Sequence, residues 1–292
     1  MQPASSIPGT TPALAERHHL IEVDGSPMHV LDAGSGEVLL LGHSYLWDAE
    51  MWRPQLAALA RHHRVIVPEL WGHGGSGRLP ESTRDLAGLA RQHLALMDAL
   101  GIERFAVCGL SVGGMWAFEL ACLAPHRVRA MALLDTSIGA EPEPARLRFF
   151  GMLDTVARAG TLPPPVLDAV VPMFFAPDIV SRRPDLPVRF RAALQAWPRE
   201  RLLDSVVPLG RIIFGRRDAL AEAPRLRMPR IVLHGAADIP RSAEEAERMA
   251  GALGCPLILL PGVGHIASLE APELVTDHLL AFLRRAGLSD PG

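Results

Sequence analysis

Gly109-Leu110-Ser111-Val112-Gly113 is the one G-x-S-x-G in the sequence, and its surroundings give the pattern weight. A continuous apolar run, Phe105-Ala106-Val107-Cys108, leads into it as a buried strand ending at Cys108, and a helix-forming run from Met115 to Leu123 follows. Strand, sharp turn and helix in that order present a serine hydroxyl at a nucleophile elbow, with flanking glycines that let the backbone turn without a clash. A serine hydroxyl is a poor nucleophile unless a base takes its proton. Among the twelve histidines, His265 is the candidate base. It lies in Pro261-Gly262-Val263-Gly264-His265, in a loop at a strand's carboxyl end, where open α/β sheets place their ligands. His18, His19, His62 and His63 come in pairs without a third ligand at metal spacing and read as solvated surface. The base in turn needs a carboxylate to fix its tautomer. Asp238, just past Ile231-Val232-Leu233, competes for that role with Asp135, at the end of Met131-Ala132-Leu133-Leu134. Asp238 is favoured, because serine, aspartate and histidine then follow in that order at three late strand ends.

Side chains so far apart in sequence need a sheet to bring them together. Short strand-like runs occur at Leu20–Val23, Met28–Leu31 and Val38–Leu41, joined by the turn signals Asp24-Gly25-Ser26-Pro27 and Gly34-Ser35-Gly36, which suggest a hairpin-rich entry. Val65–Val67, Phe105–Cys108, Met131–Leu134, Ile231–Leu233 and Leu257–Leu260 are continuously apolar and suit strands buried on both faces. Helical stretches such as Ser82–Leu100 and Ala271–Arg284 alternate with them. The expectation is an α/β fold: a mostly parallel eight-stranded sheet with helices on both faces. The alternation stops between Ile138 and Met228. There Phe149, Met152, Leu153 and Val156 make one helical stripe, and Phe190, Ala193, Leu194 and Trp197 another. The expected organisation is a flexible tail (1–17), a core (18–137 and 229–286), a helical cap inserted late in the sheet (138–228) and a short C-terminal tail (287–292).

Composition closes several alternatives. The 292 residues are 49% hydrophobic and carry a net charge of −3, too near neutral for a nucleic-acid binder working through a basic footprint. There is no lysine, which removes Schiff-base, pyridoxal-phosphate and Walker-A chemistry. There is no asparagine, which removes the Cys-His-Asn thiol proteases. Three cysteines, Cys108, Cys122 and Cys255, show no metal-ligand spacing and point to a reducing compartment. The first seventeen residues lack the pattern of a signal peptide, and no apolar run approaches a membrane span, so cytoplasm is the expected location.

Four segments together resemble the lid-bearing α/β-hydrolases, the family that includes esterases, lactonases, C–C bond hydrolases, epoxide hydrolases and haloalkane dehalogenases. They are Gly42-His43-Ser44-Tyr45, Gly72-His73-Gly74-Gly75-Ser76-Gly77, the elbow around Ser111, and the Asp238 and His265 loops. The resemblance spans about Leu20 to Leu283, and it makes the second segment a structural turn rather than a phosphate loop. His43-Ser44 stands where the family usually has His-Gly. The resemblance implies an oxyanion hole made by the backbone N–H groups of Val112 and Tyr45. Tyr45, the only tyrosine, is expected to place its ring on the pocket wall, and Trp47, Trp52, Trp71 and Trp116 read as core or pocket wall. The expected activity is hydrolysis of a small-molecule carboxylic ester or lactone with an apolar acyl part, without metal or organic cofactor, nucleic acid or membrane. C–C bond hydrolysis, acyl transfer and perhydrolysis share the same three side chains, and a non-catalytic ligand receptor is the alternative of a different class.

Overall fold

The computed structural model describes residues 14–288. Its strands are β1 (Glu16–Val23), β2 (Ser26–Gly34), β3 (Val38–Gly42), β4 (Arg64–Pro68), β5 (Phe105–Leu110), β6 (Val128–Leu134), β7 (Arg230–Gly235) and β8 (Leu257–Leu260). They form one eight-stranded sheet in the order β1-β2-β4-β3-β5-β6-β7-β8. The pairs β1–β2 and β2–β4 are antiparallel and all later pairs are parallel. Asp24 and Gly25, with φ of 50° and 76°, make the tight turn of the β1–β2 hairpin.

The Gly34-Ser35-Gly36 turn does not extend that series into a second hairpin. β2 pairs onward with β4, and β3 lies between β4 and β5. The reason is burial: Leu39, Leu40 and Leu41 are all buried, and a strand apolar on both faces belongs inside the sheet.

Helices α1 (Arg53–Leu59), α2 (Leu86–Ala99) and α3 (Val112–Leu123) belong to the first half of the core. Between β6 and β7 run α4 (Glu143–Ala159), α5 (Pro164–Met173), α6 (Ile179–Arg182), α7 (Asp185–Gln195), α8 (Arg199–Arg201) and α9 (Val207–Phe214), with no strand among them. The second half of the core adds α10 (Ala243–Leu253), α11 (Ala267–Glu270) and α12 (Pro272–Arg285). None of the described helices is long and apolar enough to cross a membrane. α2 starts later than Ser82 because the Asp85 carboxylate accepts the Gly88 N–H at 2.7 Å and caps the helix there. In α7 the buried stripe is Leu186, Phe190 and Leu194, while Ala193 faces water.

Both ends of the core reach further than the sequence suggested. Glu16 and Arg17, placed in the tail, pair with Ala33 and Asp32 in the sheet, and Glu16 is held by Arg53 at 2.6 Å. Leu288 is buried and its N–H donates to Leu283 O at 3.0 Å, closing α12. Residues 1–13 and 289–292 of the expected tails lie outside the described residues. His63 is also a correction. It is buried where the chain leaves α1 for β4, while His62 next to it stays exposed.

Candidate active site

β5 runs two residues past the expected end at Cys108. Gly109 and Leu110 pair with Leu133 and Leu134, so Ser111 is the first residue off the sheet. The Ser111 N–H donates to Leu134 O at 2.9 Å, and its carbonyl accepts the Thr136 hydroxyl at 2.7 Å. These bonds hold Ser111 at φ 57°, ψ −122°, a conformation that costs a non-glycine residue on the order of 1–3 kcal/mol. A Cβ on Gly109 would lie 2.2 Å from the Gly113 carbonyl carbon, and one on Gly113 would lie 2.2 Å from the Gly42 carbonyl oxygen. The two glycines are therefore demanded by packing as well as by the turn.

His265 Nε2 lies 2.9 Å from Ser111 Oγ, and His265 Nδ1 lies 2.8 Å from Asp238 Oδ2. With Nδ1–H donating to the carboxylate, the Nε2 lone pair faces the serine hydroxyl. The second oxygen of Asp238 accepts the Arg241 N–H at 3.0 Å. Asp135 is spent elsewhere: its Oδ1 accepts the Gly235 N–H at 2.7 Å. Burial, reinforced by the nearby Asp238 carboxylate, pushes the Asp135 carboxyl well above the usual carboxylate range. Asp135, His234 and Asp238 do bring one ligand atom each within 4.8 Å of one another. A cation there would have to take Asp238 from His265, and it would find Asp135 biased toward the neutral acid.

The loop after β3 carries Tyr45. Among the described residues, neither the Tyr45 nor the Val112 main-chain N–H donates to a protein acceptor. Neighbouring donors are taken: the Leu46 N–H goes to His73 Nε2 at 3.1 Å and the Leu70 N–H to His43 Nε2 at 2.9 Å. Burial pushes His73 down to about 3 and lowers His43 as well, so both rings stay neutral and can accept. In the glycine-rich segment, Gly72 N–H closes on Gly77 O at 2.8 Å and Gly75 N–H donates to the Glu69 carboxylate at 2.5 Å. A carboxylate of the chain itself thus occupies that loop.

A family model for the alpha/beta hydrolase fold matches residues 37–272. The chain belongs to the alpha/beta hydrolase fold family. Across 90% of its length it is 29% identical to the dihydrolipoyllysine-residue acetyltransferase component of an acetoin cleaving system from Pseudomonas putida, of which the match covers 68%. Two solved structures resemble it closely. An esterase from Thermogutta terrifontis has a TM-score of 0.81 and 26% identity, covering 94% of this chain and 99% of its own. The enol-lactonase from Burkholderia xenovorans has a TM-score of 0.80 and 27% identity, covering 91% and 100%.

In this α/β-hydrolase, Ser111 and His265 border a largely apolar cavity. Phe149, Leu153, Val156, Val166, Met173 and Phe174 of the insertion line it, whereas Phe150, Phe175 and Trp197 pack elsewhere. The Tyr45 ring lines the cavity too, and its phenol donates to Val206 O at 2.6 Å, tying the β3 loop to the insertion. Trp52, Trp71 and Trp116 are core residues, and Trp47 stacks on Phe190 at 4.3 Å between ring centres. Burial raises the Cys108 thiol and pushes Cys122 up to about 11, so neither offers a thiolate near neutral pH. The charged side chains on the cavity wall are Glu141 and Arg241. Sequence reasoning missed both, since neither stands in a motif and they are a hundred residues apart.

Proposed function

We propose that the chain is a serine hydrolase of carboxylic esters or lactones that works through an acyl-enzyme on Ser111. The observation that carries this reading is the hydrogen-bond chain from Ser111 through His265 to Asp238 at the edge of an apolar cavity. The similarity to an esterase and an enol-lactonase supports the same bond class. Ser111 Oγ attacks the carbonyl carbon while His265 Nε2 takes its proton. Asp238 keeps the imidazole in the right tautomer and stabilises its cation. The N–H groups of Tyr45 and Val112 hold the oxyanion of the tetrahedral intermediate, and losing one such donor costs about 3–4 kcal/mol of barrier. His265 then gives its proton to the leaving alkoxide, activates a water against the acyl-enzyme, and returns the proton to Ser111. The three side chains, the substrate and water supply every proton and electron pair in this scheme. The unpaired thiols of Cys108, Cys122 and Cys255 support the cytoplasm as its location.

Residues 138–228 act as a cap that selects the acyl group. Each methylene that fits the apolar cavity adds about 0.8 kcal/mol until the space is full. Hydrolysis of p-nitrophenyl esters of increasing acyl length is therefore expected to give a kcat/KM that rises and then falls at short to medium chains. A flat profile, or a steady rise into long-chain triglycerides, contradicts the cap assignment. No turnover of any ester or lactone contradicts the proposed function.

Epoxide and haloalkane hydrolysis are expected to be absent. A serine that opened an epoxide would be left as an alkyl ether, with no carbonyl for water to attack. Multiple-turnover epoxide opening that disappears in Ser111→Ala would overturn this.

A further inference from the structure

Two buried carboxylates outside the scheme above lie between the helical insertion and the loops carrying Asp238 and His265. The first is Glu141, whose side chain is wholly buried. Its Oε2 accepts from Arg216 Nη1 at 2.7 Å, and its Oε1 pairs with Arg241. Arg241 is the residue whose main-chain N–H holds Asp238 Oδ1, and its carbonyl lies 3.1 Å from His234 Nε2. Its guanidinium also reaches Glu245 of α10 at 3.3 Å. Glu141 precedes α4 and Arg216 follows α9, so one carboxylate ties the start of the insertion to its end, and both to the Asp238 loop.

Glu270 of α11 repeats the arrangement on the other loop. Its carboxylate accepts the Ala176 N–H at 3.1 Å and pairs with Arg182 at 3.1 Å, both donors coming from the insertion. A Cβ on Gly264 would lie 2.6 Å from Glu270 Oε1, so the carboxylate sits directly against the residue before His265. Arg182 also donates to Gly262 O at 3.0 Å, and the Ile266 N–H donates to Phe174 O at 3.2 Å. The insertion therefore grips the His265 loop on both sides of the imidazole.

Buried ion pairs are costly to desolvate, and apolar residues of similar volume often stabilise a fold as well or better. What a carboxylate paired with arginine adds is direction, because its two oxygens can hold two elements in fixed relative positions. We infer that Glu141 and Glu270 are positioning residues that fasten the helical insertion to the Asp238 and His265 loops and so keep His265 in line with Ser111. This rests on the hydrolase reading above, and its test separates the two.

Glu141→Gln and Glu270→Gln keep side-chain shape and remove the charge. Turnover of p-nitrophenyl butyrate and the rate at which a fluorophosphonate labels Ser111 are measured for each, per folded enzyme by circular dichroism. Misplaced reacting groups lower kcat and the labelling rate together, by about 10- to 100-fold here. For Glu270→Gln, which lies off the cavity wall, KM is expected to stay within about threefold of wild type; for Glu141→Gln the fall in kcat and labelling rate is expected whatever KM does. Should Glu141→Gln fail to fold, Arg241→Lys keeps the charge, loses the fork and carries the same comparison. Folded variants with wild-type kcat and labelling rate overturn the inference, as does an effect confined to KM, which would make Glu141 part of the pocket wall only. A wild-type enzyme that neither turns over esters nor labels counts against the hydrolase reading instead.

Discussion

Ser111→Ala is expected to lower kcat for an activated ester by about 10⁶-fold, the scale on which serine hydrolases lose turnover with their nucleophile. The fold should survive. Ser111 is held by its main chain, through Leu134 O and the Thr136 hydroxyl, and alanine keeps both contacts. Alanine also meets the same backbone strain at φ 57° that serine already bears, so no new conformational cost arises. An unchanged thermal midpoint with turnover at background is the expected pair of results. Turnover within about tenfold of wild type, with contamination excluded, contradicts the nucleophile assignment.

Asp238→Asn is expected to cost about 10⁴ in kcat, because an amide no longer fixes the tautomer that points the Nε2 lone pair at the serine. Its Oδ2 is the atom 2.8 Å from His265 Nδ1, and an amide nitrogen there would face an N–H rather than accept one. Asp135→Asn should be far milder. Asp135 is pushed toward its neutral form, and an asparagine Oδ1 can still accept the Gly235 N–H, so the main change is in stability. Steady-state kinetics on both variants decides the matter. An inactive Asp135→Asn beside an active Asp238→Asn would exchange the two roles.

The elbow was legible in the sequence because everything that makes it is local: a buried strand, two glycines in tight quarters and a helix behind them. His265 was legible because it follows a strand end by a few residues. Asp238 and Asp135 both follow strand ends, so their sequence positions separate them weakly; the fold does so, with Asp135 accepting the Gly235 N–H instead of facing His265. The hairpin-rich entry suggested by the two turn signals holds at Asp24-Gly25 but not at Gly34-Ser35-Gly36, where β2 pairs onward with β4 instead of β3. His63 was misjudged for a related reason, as adjacent histidines at a helix end point to opposite environments.

The carboxylate anchors left no local trace at all. Glu141 meets Arg216 and Arg241 across 75 and 100 residues, and Arg182 meets Glu270 across 88. In a chain whose Lys/Arg residues are all arginine, nothing in their spacing sets these three arginines apart from the rest.

The most direct test of the account is covalent. Incubation with a fluorophosphonate, followed by intact-mass analysis and peptide mapping, asks whether one hydroxyl in this chain is activated. The account predicts a single adduct on Ser111, absent in Ser111→Ala and slow to form in Asp238→Asn. An enzyme that stays unlabelled, or one labelled at another residue, would contradict it.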